Sequence, residues 1–175
     1  MTQELNIEIL AEALAAGRSV RDHGPYRVDI GDEALAYRQV VIDDPVPTGR
    51  QILEAAGVRP VVEYSVFQLL VNGQLEGLRL DETTDLRTRG VEKFIVFHSD
   101  RSFRFDLDGV VFDWGTGRIS GHVLKTLAKV DPATYGVWKE VRGKEDLAIS
   151  DTDLADLTTE GVERFFTGIV KTTEG

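Results

Sequence analysis

Apolar and polar residues alternate along several short segments of the chain, and Gly, Asn, Asp and Pro residues separate these segments. Such alternation is typical of half-buried strands, because successive side chains of a strand point to opposite faces of a sheet. Five strands are predicted in the first half of the chain, at residues 26–30, 35–42, 64–71, 75–80 and 94–97, of which 64–71 is a run rich in strand-forming residues. A helix is predicted after the second strand, since Thr48 and Gln51 have the spacing of a capping box and Gly57 is a typical residue to end it.

The second half of the chain repeats this plan. Its predicted strands lie at residues 103–107, 110–114, 135–141, 147–149 and 165–170. Ser120 is placed to cap a single helix between the second and third of these strands. The clearest copy is the segment GVEKF at 90–94, which returns as GVERF at 161–165, an offset of 161 − 90 = 71 residues. Self-similarity at a fixed spacing indicates a duplicated unit. One helix after a hairpin, with later strands in the same sheet, predicts an α+β fold of two tandem β-grasp domains.

Residues 1–24 lie outside the repeat. Apolar residues between Leu5 and Leu14 could line one face of a short helix that Gly17 would end. Because so short a helix is marginal in isolation, this N-terminal extension is either frayed and disordered or packed on a neighbour. The two domains are predicted at 25–98 and 103–170, with a short polar linker between them and a tail at 171–175.

The repeated motif has a structural explanation. Gly90 and Gly161 are expected to adopt a positive φ just before the last strand of each domain. The apolar residues that follow them are expected to fill the two cores: Val91, Phe94, Val162 and Phe165. No chemistry is assigned to Glu92 or Glu163.

Composition and charge restrict the class of function. The formal net charge is −10, which argues against a surface for nucleic acid or a membrane. No cysteine is present, so the sequence offers no disulfide, thiolate nucleophile or Cys-ligated zinc. The N-terminus lacks the basic start and apolar core of a signal peptide. These features predict an acidic cytoplasmic protein.

No candidate metal or catalytic site stands out. The histidines are dispersed, and the acidic clusters lack the spacing of a calcium loop, which makes them turn and cap residues: His23, His98, His122, Asp43, Asp44, Asp151, Asp153 and Asp156. The sequence also lacks a Gly-rich phosphate loop and a Ser-His-Asp arrangement. We therefore expect no catalytic residue, metal or bound cofactor.

Three segments of the first half carry a resemblance to a known family. They are residues 48–57 (TGRQILEAAG), 64–70 (YSVFQLL) and 85–94, which begins Asp85-Leu86 and ends in GVEKF. Together they resemble the bacterial multiubiquitin-type domain, and the second half is a more divergent copy. Two fused domains also resemble the interferon-induced two-domain ubiquitin-like modifier and its bacterial anti-phage counterparts. The resemblance implies two ubiquitin-like β-grasp domains that are attached to other proteins.

The resemblance also implies partners and a site. The partners would be an E1-like activating enzyme that uses ATP, an E2-like conjugating enzyme, a deconjugating protease and a target protein. The conjugated group would be the carboxylate of Gly175, since a residue without a Cβ can enter a narrow enzyme channel. The residues before it would be recognised as a tail: Lys171, Thr172, Thr173 and Glu174. Ubiquitin-like tails usually carry a basic stretch and paired glycines, and this chain departs from that pattern.

An apolar patch on the open face of the sheet is a further expectation from the resemblance. The run 66–71 has more apolar residues than one buried face requires, so Leu70 and Gln68 are candidates for a surface that faces partners. Packing of the same residues in the core is the alternative. Two other functions remain open: a tandem β-grasp scaffold that is never conjugated, and a sulfur carrier, although sulfur carriers are normally single domains.

Overall fold

The structure, a computed structural model, describes residues 6–170, and the chain divides into two compact units between Arg101 and Ser102. The first unit has a six-stranded mixed sheet and the second a five-stranded one, and in both a parallel pair lies at the centre and one helix follows the first hairpin. These are two tandem β-grasp domains of the α+β class, as the alternating pattern predicted. Each unit is described separately below.

The first unit contains six strands and two helices. The strands are β1 (Glu8–Ile9), β2 (Tyr26–Gly31), β3 (Tyr37–Ile42), β4 (Ser65–Leu70), β5 (Leu75–Leu78) and β6 (Val91–Phe97). The helices are α1 (Leu10–Ala15) and α2 (Gly49–Ala55), and a 3₁₀ turn covers Val61–Glu63. The main sheet has the order β3-β2-β6-β4-β5, in which only β2 and β6 run parallel. Ile52 and Leu53 of α2 are fully buried against the sheet.

The N-terminal segment packs on the first unit. Strand β1 pairs with the start of β2. It lies at the same edge of β2 that pairs with β6 further along the strand. Leu10 and Ala13 of α1 are buried in the core. The buried carboxylate of Glu8 lies 2.5 Å from Arg18 and 3.5 Å from Arg21, which holds the following loop in place. Of the two alternatives for this segment, the structure therefore shows the packed one for the residues it describes.

The second unit contains seven strands and one helix. The strands are β7 (Phe103–Leu107), β8 (Val110–Trp114), β9 (Arg118–Ser120), β10 (Tyr135–Lys139), β11 (Leu147–Ile149), β12 (Leu154–Asp156) and β13 (Glu163–Ile169), and the helix is α3 (Gly121–Ala128). The main sheet has the order β8-β7-β13-β10-β11, which matches the first unit. Strands β9 and β12 form a separate ladder. An isolated bridge between Thr48 and Thr83 occurs before α2 in the first unit.

A glycine begins the helix of each unit because the backbone of a later loop passes very close to it. A Cβ on Gly49 would lie 2.3 Å from the carbonyl oxygen of Arg79, and one on Gly121 would lie 2.2 Å from that of Ser150. The residue before each glycine caps the helix: Thr48 forms the predicted capping box with Gln51, and Ser120 accepts a bond from the third residue of α3. The repeated Thr/Ser-Gly pair thus combines a cap with a close backbone contact.

The motif before the last strand behaves as predicted at all but one position. Gly90 and Gly161 have φ of 72° and 97°, and Val91, Phe94 and Phe165 are buried. Val162 is 48% exposed, so its expected place in the core is wrong. The physical reason is the start of the strand: β6 begins at Val91, which pairs with β4, whereas β13 begins one residue after Val162.

Candidate functional site

The last strand of the second unit is held by backbone hydrogen bonds along its whole length. Strand β13 pairs with β10 as far as Ile169, opposite Tyr135, and the N–H of Val170 donates to the carbonyl of Thr134 at 2.8 Å. Residues 171–175 follow at once. The predicted conjugation residue and tail residues lie outside the described residues, so their roles remain predictions: Gly175, Lys171, Thr172, Thr173 and Glu174.

The turn between β7 and β8 secures the other edge of β13. Strand β7 ends at Leu107, but its parallel partner β13 continues. Asp108, which has a φ of 53°, bonds β13 beyond the end of β7. Its carboxylate accepts the N–H of Thr167 at 2.8 Å and the hydroxyl of Thr167 at 2.7 Å. The N–H of Asp108 also donates to the carbonyl of Phe165. Both edges of β13 are therefore fixed near its end.

Aromatic side chains cover part of the sheet face opposite α3. Val137 of β10 and Phe165 of β13 point into the core of the second unit and are buried. Because side chains alternate along a strand, Trp138 and Phe166 point to the opposite face. These two residues are directly paired in the ladder, and their rings stack with centroids 5.7 Å apart and planes 14° apart.

Two glycines make room for the indole of Trp138. Gly136 and Gly168 are opposite each other in the ladder, next to the Trp138–Phe166 pair. A Cβ on Gly136 would lie 2.8 Å from the indole, and one on Gly168 would lie 3.3 Å from it. The ring therefore lies flat over backbone instead of standing among side chains. We call these four residues the Trp138 face.

Large exposed apolar side chains are concentrated in the second unit. Among the described residues, the first unit has three: Val41, Val62 and Val71. The second unit has eight: Val110, Val111, Leu147, Leu154, Val162, Phe166, Ile169 and Val170. Ile169 and Val170, 70% and 47% exposed, stand where the chain leaves the sheet. Because it exposes more large apolar side chains, the second unit is the better candidate for partner contacts.

Comparison with protein families agrees with the two-unit architecture. The family model for multiubiquitin matches the chain twice, at residues 33–99 and 103–168. The chain belongs to the multiubiquitin family. Each match lies within one β-grasp unit, so the repeat in the sequence is a repeat of the multiubiquitin domain. Comparison with curated proteins finds no match.

The surface predicted in the first multiubiquitin domain is wrong. Leu70 is only 4% exposed and belongs to the core, and Gln68 is 5% exposed. Gln68 accepts a hydrogen bond from the hydroxyl of Thr84 at 2.7 Å and donates to the carboxylate of Glu76 at 3.3 Å. Both residues lie on the face of β4 that points towards α2, together with the buried Val66. Neither side chain is available to a partner.

The acidic clusters serve as turns, as the sequence indicated. Asp153 accepts the N–H of Ser150 at 2.9 Å, and Asp156 accepts that of Thr158 at 2.7 Å. Hydrogen bonds from these two partners hold the pKa of each carboxyl below its usual range. Within residues 6–170, no group of three or more His, Cys, Asp or Glu side chains is arranged to hold a metal ion. No helix in that range is long and apolar enough to cross a membrane.

Proposed function

We propose that this multiubiquitin protein is a modifier that is joined through the carboxyl group of Gly175 to amines of target proteins. A cognate E1-like enzyme would activate it with ATP, an E2-like enzyme would transfer it, and a protease would release it. We further propose a bacterial cytoplasmic setting and a role in defence against phage, both of which come from the family resemblance alone. No cofactor is proposed for the chain itself.

The observation that carries the proposal is the fixed end of β13 in a ubiquitin-like domain. The strand is bonded on both edges close to Val170, so residues 171–175 start from a defined point of the fold. An enzyme that binds the exposed apolar surface of the second domain would find the end of β13, after which the tail begins, at a constant position. Such positioning favours reaction, because it lowers the entropic cost of bringing the reacting groups together.

The proposed chemistry uses only the terminal carboxylate of this chain. Gly175 would attack the α-phosphate of ATP, forming an acyl adenylate and releasing pyrophosphate. A thiol of the activating enzyme would then displace AMP and form a thioester, which passes to a thiol of the conjugating enzyme. Finally, a target amine would displace that thiol and form an isopeptide bond. Glycine suits the first step, since it places no Cβ beside the reacting carbonyl.

The direct test mixes the protein with its cognate activating enzyme and ATP. We expect a thioester that is sensitive to reducing agent, and we expect its loss when Thr173–Gly175 are deleted. His122→Ala, at an exposed position of α3 outside the exposed apolar set, is a control that leaves the tail intact. If the intact protein forms neither adenylate nor thioester, it is not a modifier of this type.

A scaffold that is never conjugated is the second candidate function, and the Trp138 face favours it. Stacked aromatic rings on an exposed sheet can bind a protein partner without any covalent step. The same tail deletion separates the two functions. A scaffold without residues 173–175 keeps its partner and its biological activity, whereas a modifier loses its activity.

A further inference from the structure

The described lysines fall into two groups, those whose amines are engaged and those whose amines are free. The protein has six lysines against 14 arginines: Lys93, Lys125, Lys129, Lys139, Lys144 and Lys171. Arginine cannot act as an amine nucleophile, because its guanidinium stays protonated in proteins. For the attachment of one copy of the modifier to another, this protein therefore offers few side-chain amines.

Three of the five described lysines are engaged. The amine of Lys125 lies 2.7 Å from the carboxylate of Asp151, and its side chain is 10% exposed. Lys139 lies 3.2 Å from Glu163, with its side chain 20% exposed. Each of these amines would have to leave its ion pair before it could attack a carbonyl.

Lys93 is engaged in a different way, over an aromatic ring. Its amine lies 4.3 Å from the centroid of Tyr37, in a cation–π contact that it would have to leave before it could attack a carbonyl. Burial raises the pKa of Tyr37 to about 12, so the ring keeps its hydroxyl proton at neutral pH. Lys93 is the only lysine of the first domain. That domain consequently offers no free amine among its described residues.

Lys129 and Lys144 remain, and their surroundings differ. Lys129 is the C-cap residue of α3, with a φ of 57°, and lies beside the last carbonyls of the helix, which carry partial negative charge. Lys144 lies in the exposed turn between β10 and β11. Its neighbour Gly143 has a φ of 75°, and no atom lies within 4 Å of the position that a Cβ there would take. Among the described residues, no hydrogen bond or ion pair engages the amine of Lys144.

The turn that carries Lys144 is ordered and has open space beside it. The N–H of Lys144 donates to the carbonyl of Val141, whose own N–H donates to the carboxylate of Asp146. A groove of about 740 Å³ begins next to the turn, and its lining includes Arg142, Leu147 and Val162. Lys144 is therefore an exposed residue on a turn whose backbone is held by hydrogen bonds.

We propose that Lys144 is the site at which a second copy of this protein is attached, so that the modifier can form chains. This inference rests on the function proposed above, which supplies the thioester on the conjugating enzyme. The neutral amine of Lys144 attacks the thioester carbonyl of the incoming copy and forms a C–N bond. The C–S bond breaks, and the proton lost by the amine leaves with the thiol.

The test is a reaction with the purified protein, both cognate enzymes and ATP, and with no other target present. Trypsin cleaves after Lys171, so a modified lysine retains the remnant Thr172-Thr173-Glu174-Gly175, which mass spectrometry can locate. We expect this remnant on Lys144 and the loss of the dimer in Lys144→Arg. Lys129→Arg is the matched control, and it should form the dimer as the unaltered protein does.

Four outcomes would contradict the inference, and one of them also overturns the function on which it rests. Failure to form any thioester removes both proposals. A thioester that discharges onto free lysine, without a remnant on Lys144, refutes the Lys144 site alone. A dimer that persists in Lys144→Arg, with its remnant on Lys129, Lys171 or the N-terminal amine, also refutes that site alone. A labelling experiment with an amine-reactive ester should modify Lys144 before Lys125, and the reverse order contradicts the structural argument.

Discussion

Replacement of Gly121 by Ala tests the close backbone contact at the start of α3. The new methyl group would lie 2.2 Å from the carbonyl oxygen of Ser150 and 3.0 Å from that of Ile149. Real Cβ atoms essentially never lie closer than 3.0 Å to such an atom, so the backbone would have to move by 3.0 − 2.2 = 0.8 Å. That movement would strain the bonds from Gly121 to Asp153 and from Asp153 to Ser150.

The size of the effect follows from two opposing contributions. Forced overpacking of this kind typically costs about 1–3 kcal/mol. Alanine recovers at most about 1 kcal/mol through its higher helix propensity, and less at the first position of a helix. We therefore expect Gly121→Ala to lower the free energy of unfolding of the second domain by about 2 kcal/mol. With a urea m-value of about 1 kcal/mol/M for a domain of this size, the midpoint should fall by about 2 M.

Tryptophan emission during urea unfolding measures this loss selectively. The two tryptophans of the protein, Trp114 and Trp138, both belong to the second domain. His122→Ala, at the exposed neighbouring position of α3, should change the midpoint by less than about 0.5 M. Gly49→Ala makes the equivalent clash in the first domain and should leave the tryptophan transition in place. If Gly121→Ala matches His122→Ala in stability, the close contact does not constrain the helix and the reasoning fails.

Two further predictions concern the partner surface and the N-terminal segment. Trp138→Ala should weaken binding of the activating enzyme by about 2 kcal/mol, or about thirtyfold, because tryptophan is among the residues that most often dominate protein interfaces. His122→Ala, at an exposed position of α3, should not weaken it, and equal affinities of the two variants by calorimetry would exclude the Trp138 face. The hydrogen bond from Arg18 is the main cause that lowers the pKa of Glu8 below its ordinary value of 4.5. The ionised carboxylate of Glu8 therefore stabilises the first domain above pH 4.5, and this stabilisation is lost as the pH falls through the lowered pKa. In Glu8→Gln, the free energy of unfolding of the first domain should depend less on pH in the acid range. An unchanged acid transition, measured by amide exchange, would contradict this.

The sequence predicts the larger strands because the alternation of apolar and polar residues indicates which face of the strand is buried, and because turn dipeptides indicate where the hairpins lie. It does not reveal β1, β9 and β12, since strands of two or three residues are too short to show a period, although β11, which also has three residues, was predicted at 147–149. It also misplaces Leu70, because the run 66–71 is apolar on both faces and its register shifts between Leu69 and Leu70. Only the pairing with β6 decides which of these residues point towards α2.

The Trp138 face was missed although the sequence carries a signal for it. Trp138 occurs in a polar run, and its outward direction is set by Val137, which is buried. A glycine two residues before Trp138 and another two residues after Phe166 are the informative positions. Aromatic side chains often cover glycines on neighbouring strands, because the absent side chains leave exposed backbone and free space. Gly136 and Gly168 could therefore have indicated where the indole lies.

The same backbone in the two domains supports different surfaces, and this difference argues for a division of roles. Glycines are repeated where the chain needs a positive φ or a close contact, as at Gly90 and Gly161 or Gly49 and Gly121. Exposed features are not repeated. Eight of the eleven large exposed apolar side chains among the described residues, and all lysines except Lys93, belong to the second domain. That domain also carries β13 and the tail that follows it. Partner binding, activation and chain growth are therefore all expected at the second domain. If the order of the two domains in the chain is exchanged, we expect conjugation to be lost while both domains remain folded.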